Sequence, residues 1–244
     1  MTKYDFYLYD DCNVLRNLLN IKNEGELDLA EAEISSVNMM LLYEKGFDDF
    51  SSAGICKIHK SLFGDIYDWA GEYRLINIMK REPLLAGKSV WYSDSDNIET
   101  DLEKIWSKIK AVDWCKLTKE EFVELVARLF PEIWQVHPFR EGNTRTVVML
   151  MTFFVEHYGY YFDQYLMKEF SAYVRNAFVL SCFGEHSEYG HLEKILSDAI
   201  CTEPAKYDDE GDFEKSCNIS KYEQYYVKDY KPTPHEYYGN QSES

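Results

Sequence analysis

Between Trp134 and Leu150 the chain reads WQVHPFREGNTRTVVML, so that a histidine, a glutamate, an asparagine and an arginine fall just ahead of a strongly apolar run. Residues from Val147 to Val155 are apolar on nearly every side, which predicts a helix buried at the centre of a bundle. Gly142 and Asn143 then mark the junction of a loop with the N-terminus of that helix. The first amides of a helix have no intrahelical acceptors and sit at the positive end of its dipole, so the junction is a cradle for an anion. Arg145, in the first turn, can add a charged fork to a phosphate held there. Glu141 lies beside the same cradle, where phosphate oxygens would repel it unless a cation such as Mg²⁺ lay between them. His137 carries an imidazole, a group whose ordinary pKa of roughly 6.5 lets it accept a proton near neutrality. Base, metal ligand, anion nest and phosphate clamp together describe phosphate-transfer chemistry. Each has a plainer role alone: Gly-Asn is a common turn and Glu before a helix favours its dipole. Their joint spacing favours the chemical reading.

The elements that must position these residues are mostly helical. Leu27 to Tyr43 carries Leu29, Ile34, Val37, Met40 and Leu41 on one face, the pattern of an amphipathic helix with that face inward, and Gly46 ends it. Ile55, Ile58, Leu62 and Phe63 predict a helix that breaks at Gly64, followed by a second short helix ending near Gly71. Residues 74–92 are richer in β-branched and aromatic side chains, and Pro83 with Gly87 makes their centre a loop, which predicts a small β-hairpin or flap. Helical periodicity returns through Ile98, Leu102, Ile105, Trp106 and Ile109. Thr118 with Glu121 forms a capping-box pattern ahead of Phe122, Leu125, Val126, Leu129 and Ile133, and Pro131 predicts a kink. Two further helical patterns lead to Ile200. The expected fold is therefore all-α with one small β-hairpin flap, without repeats.

The chain has 244 residues, 45% hydrophobic and 16% aromatic, enough to fill a core. Its formal charge of −17 disfavours direct binding of nucleic acid, which depends on clustered cations releasing counterions. Six scattered cysteines without a C-x-x-C pair indicate neither a zinc site nor a disulfide framework. No apolar run approaches the ~18 residues of a membrane helix and the N-terminus lacks a signal pattern, so a cytoplasmic protein without membrane contact is expected. The organisation expected is an N-terminal extension over 1–26, one domain over 27–200, and an acidic, tyrosine-rich tail over 201–244.

The letters HPFREGNTRT closely resemble the signature of the Fic (filamentation induced by cAMP) family, H-x-F-x-(D/E)-G-N-G-R-x-x-R, at His137, Phe139, Glu141, Gly142, Asn143 and Arg145. The upstream stretch IHKSLFGDIYDWAGEYR, Ile58 to Arg74, resembles a second family segment. The resemblance implies a Fic domain and transfer of AMP from ATP to a hydroxyl side chain of a target protein, with Mg²⁺. It makes His137 the base and Phe139 the anchor of the loop in the core. It gives Glu141 to the metal, and Gly142, Asn143, Thr144 and Arg145 to the nucleotide phosphates. It also makes residues 74–92 the strip on which a target docks, with Lys80, Arg81 and Lys88 as its cations, and it implies a homo-oligomer.

The pattern is broken at two positions. Thr144 replaces a glycine, harmless only where the backbone is helical. Val148 replaces the second arginine, which in the family contacts the γ-phosphate and receives an autoinhibitory glutamate. ATP is therefore expected to bind without that arginine, and no glutamate clamp is expected. Two other outcomes are compatible with the letters: a Doc-like phosphotransferase, or transfer of another nucleotide or phosphodiester group. A third, non-enzymatic outcome is a Fic-like binding module of a toxin–antitoxin pair.

Overall fold

A computed structural model describes residues 5–204 and residue 225. Among them are eight α-helices and one two-stranded sheet. The helices are α1 (Glu24–Lys45), α2 (Ser52–Phe63), α3 (Ile98–Lys110), α4 (Lys119–Val136), α5 (Asn143–His157), α6 (Gln164–Glu169), α7 (Ser171–Ser181) and α8 (Gly190–Ala199). Strands β1 (Tyr161–Phe162) and β2 (Ile200–Cys201) pair antiparallel.

Helix α5 is the axis. Its Val147, Met149, Leu150, Met151, Phe154 and Val155 are all buried, and α2 and α4 pack directly on it. Helix starts follow side-chain chemistry. Asn23 accepts from the Glu26 amide and Ser51 from the Gly54 amide. Both halves of the Thr118–Glu121 capping box are made, at 3.2 and 2.9 Å. Helix α4 runs through Pro131 to Val136.

Residues 74–92 fold back as a small flap: its arms meet at an antiparallel bridge between Arg81 and Ser89 and through the Glu82 amide, which donates to the Lys88 carbonyl at 2.9 Å, around a 3₁₀ turn at Pro83–Leu85 that Ala86 closes in the left-handed region. Two expectations are corrected. Residues 64–71 form turns rather than a second short helix.

The second correction concerns α1, which is inside out. Its inward face holds Leu27, Glu31, Ser35, Asn38 and Leu42, whereas Leu29, Val37, Met40 and Leu41 are 69, 55, 65 and 58% exposed. Buried polar groups must be partnered, and these are. Asn38 donates to the Leu62 carbonyl and to Asp65, and Glu31 and Ser35 both meet Arg145 in the first turn of α5.

The N-terminal residues also pack on the domain. Tyr7 lies edge-on against Trp69 and its hydroxyl accepts from the Leu75 amide. Asp5 forms a fully buried ion pair with Arg140 at 3.1 Å. The tail expected beyond Cys201 lies outside the described residues except for its first three positions and Tyr225. That ring is buried against Tyr173 and Phe170, and its hydroxyl donates to Asp198.

Candidate active site

The site is built where α4 ends and α5 begins. His137 caps α4 in the left-handed conformation, φ 51 and ψ 59, and its amide donates to the Trp134 carbonyl. Its imidazole stacks on Tyr92 at 4.0 Å and meets Trp134 edge-on at 5.4 Å. Arg74 holds the backbone here. Its guanidinium, almost wholly buried, donates to the carbonyls of His137 (2.8 Å), Ile76 (2.7 Å), Ser93 and Val136. Its own amide donates to the Pro138 carbonyl. Burial lowers that guanidinium to about 10.

The loop then closes on Asn143, whose side chain accepts from the Phe139 amide and donates to the Phe139 carbonyl, both at 2.9 Å. Phe139 is fully buried and stacks on His59 at 3.8 Å. Nδ1 of His59 accepts from the Gly71 amide, so the neutral ring carries its proton on Nε2 and donates it to the Glu141 carbonyl at 3.0 Å. Burial depresses this imidazole to about 3.

That shift gives a pH prediction. Below about 6.5 the unfolded chain takes up a proton at His59 that the folded chain refuses, so folding loses stability as pH falls. Between pH 7 and pH 5 the residue should cost about 2 kcal/mol. Urea midpoints measured at both pH values should show this loss in the parent and a smaller one in His59→Gln. Equal losses would show that His59 does not carry the effect.

Gly142 begins α5 at φ 78, and its amide donates to the Glu141 carboxylate at 3.0 Å. Its carbonyl accepts from the amide and hydroxyl of Thr146. The amides of Asn143, Thr144 and Arg145 find no acceptor among the described residues, the condition for an anion cradle. Thr144 is helical, and its hydroxyl accepts from the Trp134 indole at 2.9 Å. The position therefore tolerates a side chain and uses it. Arg145 lies over the Phe63 ring at 4.8 Å, donates to Ser35 at 2.8 Å and pairs with Glu31. Burial works against its charge, but Glu31 outweighs it and raises the guanidinium.

A sequence model of the Fic/DOC family matches residues 49–155. A protein of Sinorhizobium fredii named probable protein adenylyltransferase y4lH is 32% identical over 158 residues, 64% of this chain and 78% of the relative. The chain belongs to the Fic/DOC family. The protein adenylyltransferase VbhT of Bartonella schoenbuchensis is 30% identical over 67% of this chain and 34% of its own length. In solved structures the same fold is seen in the N-terminal Fic domain of Bep8 from Bartonella sp. 1-1C, with a TM-score of 0.71, 22% identity, and coverage of 84% of this chain and 97% of that one. An ADP-bound Fic domain of a Bartonella quintana effector gives a TM-score of 0.67 with 24% identity, over 80% of this chain and 94% of that one.

Within this Fic domain the predicted residues separate by role. Asn143 spends its side chain on Phe139 rather than on a ligand, and Gly142 spends its amide on Glu141. Of the three flap cations, Lys80 turns inward: burial lowers its ammonium, and Glu141, Arg175, Glu82 and Arg140 are the charges around it. Arg81 is exposed at its bridge, and Lys88 lies over the Phe183 ring at 5.6 Å.

Sequence reasoning missed five participants: His59, Glu31, Arg140 and the paired Glu82 and Arg175. In that pair the guanidinium grips a fully buried flap carboxylate through two bonds of 2.6 and 2.8 Å. Glu31 pairs with the first motif arginine, Arg145, a contact distinct from a clamp on the second arginine, whose place Val148 takes, and its other oxygen accepts from the Tyr67 hydroxyl. The signal available was the spacing of Glu31 and Ser35, four residues apart and so on one helical face.

Proposed function

We propose that this chain is an ATP-dependent protein adenylyltransferase that moves AMP to a Ser, Thr or Tyr hydroxyl of a target protein and of itself. The observation that carries the reading is the row of amides at Asn143, Thr144 and Arg145, without acceptors, one loop away from His137. The diphosphate of the nucleotide rests on those amides and on the outer edge of Arg145. His137 takes the proton of the incoming hydroxyl as its oxygen attacks the α-phosphorus. The bond from that phosphorus to the bridging oxygen breaks, and pyrophosphate leaves with the electron pair. Glu141 supplies one hard carboxylate oxygen, which suits Mg²⁺, an ion bound through one or two carboxylates plus substrate phosphates. When bound, the ion would neutralise charge on those phosphates.

Lys80 offers the outer phosphates a cation in a chain where Val148 stands in place of the second motif arginine. An ammonium half-buried among Glu141 and Glu82 is placed to meet the outer phosphates. The target lies along the flap, where Trp91, 81% exposed, sits beside the Tyr92–His137 stack. Edge pairing there presents a hydroxyl with little demand on sequence.

The test is incubation with ATP labelled on the α-phosphate and, separately, on the γ-phosphate, with mass analysis of the protein. Label from the α position alone, with the mass of an adenylyl group, is expected. Lys80→Met should raise the ATP concentration for half-maximal transfer by about tenfold, the loss of one charged contact. Transfer of γ-label overturns the reading in favour of a phosphotransferase. An unchanged ATP requirement removes Lys80 from the phosphate site.

A further inference from the structure

We infer that Arg175 is a positioning residue for the transfer reaction: from α7 it latches the flap through Glu82, and the latched flap holds the Tyr92 ring against the imidazole of His137. The kinetic consequence rests on the activity proposed above; the latch itself is a matter of contacts.

Glu82 lies at the root of the flap's turn, where its amide donates to the Lys88 carbonyl and its carbonyl accepts from the Leu85 and Gly87 amides. Its carboxylate is fully buried, and the Arg175 fork takes both oxygens, at 2.6 and 2.8 Å. A loop carboxylate would ordinarily stay in water, because burying an ion pair costs about as much solvation as the pair returns in attraction. What a two-bonded fork does return is a fixed distance and angle between the elements that carry its ends. Phe183, two residues beyond α7, lies under the Lys88 ammonium. Both ends of the turn are therefore held by α7 and the residues just past it.

The arm that leaves the turn carries this hold to the site. Val90 is buried, the Trp91 carbonyl accepts from the Gln135 amide group at 3.2 Å, and Tyr92 turns inward. Its ring lies between His137, stacked at 4.0 Å, and Trp134, edge-on at 5.9 Å. The Tyr92 hydroxyl is enclosed and has no hydrogen-bond partner among the described residues, so no polar contact of its own fixes the ring. The arm must do so. Burial raises the Tyr92 phenol, and Glu82 and Arg175 are the first two charges acting on it, which sets the ion pair beside the same ring. Lys80, two residues before Glu82, is also under the influence of both charges. Without the guanidinium, Glu82 is a buried charge stripped of its fork, and it reaches water only by carrying the flap away from the site.

Two readouts of the full chain need no activity. Trypsin cuts after exposed Lys88, and diethyl pyrocarbonate modifies accessible imidazoles, with exposed His157 as the internal standard. Arg175→Met should speed both the cut after Lys88 and the modification of His137 by about tenfold, the loss of one charge-assisted contact read as local opening. Adding Glu82→Leu should restore most of both protections, because an apolar pair replaces the orphaned charge. Transfer of α-label should fall by about tenfold in Arg175→Met and recover with the second substitution, since the two side chains act as one unit. Should Arg175→Met not fold, Arg175→Lys carries the same test, with a smaller rise because one donor replaces two. Parental protection of Lys88 and His137 in the arginine variant overturns the latch, as does a double variant no better protected than Arg175→Met alone. A flap that opens while His137 stays protected overturns the link to the imidazole, and parental transfer with both protections lost removes Arg175 from the reaction. If both protections respond and the parent transfers no label, the latch stands and the proposed activity falls.

Discussion

His137→Asn is expected to lower AMP transfer by about 10²–10⁴-fold, the usual contribution of a positioned general base, with the fold intact. The choice of asparagine matters. His137 caps α4 at φ 51, a conformation that costs most residues about 1–2 kcal/mol and that asparagine tolerates. Alanine would remove the imidazole and strain the cap together, so loss of activity could reflect a moved loop. Asparagine keeps the backbone, and the Arg74 bond to the His137 carbonyl survives with it. It removes the ring that stacks on Tyr92 and, with it, the imidazole proposed to take the proton. Label transfer and urea midpoints should therefore separate: activity falls by orders of magnitude and the midpoint shifts by the loss of one ring contact, about 1 kcal/mol. Activity within fivefold of the parent would remove His137 from proton transfer.

The order of the helices was legible because local patterns record it. The stripe through Ile98, Leu102, Ile105, Trp106 and Ile109 became the buried face of α3, and the Thr118–Glu121 box formed as written. The all-apolar run after Thr146 became the axis of the bundle. In each case the information lies within one turn or one face, where spacing alone decides contact. The motif letters were legible for the same reason, since the loop from His137 to Arg145 is a single continuous segment.

What failed depended on partners far along the chain. A periodicity argument assigns the apolar stripe of α1 to the core. The competing demand comes from Arg145, Tyr67, Leu62 and Asp65, which together supply partners for Glu31, Ser35 and Asn38. A charged arginine in the first turn of α5 needs an acceptor, and α1 provides it by turning its polar face inward. His59 was hidden similarly: a lone histidine in an amphipathic stripe reads as an ordinary core residue. Its two ring nitrogens are engaged by Gly71 and by Glu141, 82 residues away in sequence. The flap's shape was readable as a loop with extended arms. Its attachment was not, because Glu82 and Arg175 are 93 residues apart.

Gly142→Ala is expected to damage both stability and activity, through two separable costs. The residue sits at φ 78, where an alanine is strained by about 1–2 kcal/mol. A Cβ there would also lie 2.4 and 2.5 Å from the Cε2 and Cζ atoms of Phe63. That ring cannot swing aside: it is fully buried, with His59 at 4.8 Å and the Arg145 guanidinium over it at 4.8 Å. Overpacking of this kind costs about 1–3 kcal/mol, so a total of about 2–5 kcal/mol is expected, or a melting temperature lower by roughly 5–15 °C for a domain of this size. Relief by moving the loop instead would displace the amides of Asn143, Thr144 and Arg145, and misplacement by about 1 Å can cost 10²-fold in rate. Adding Phe63→Leu to Gly142→Ala should therefore recover the steric part of the stability and leave the conformational part, with activity still depressed because Arg145 has lost its ring. If Gly142→Ala melts within 1 °C of the parent and transfers label at the parental rate, the loop is not held where Phe63 and the amide row require it.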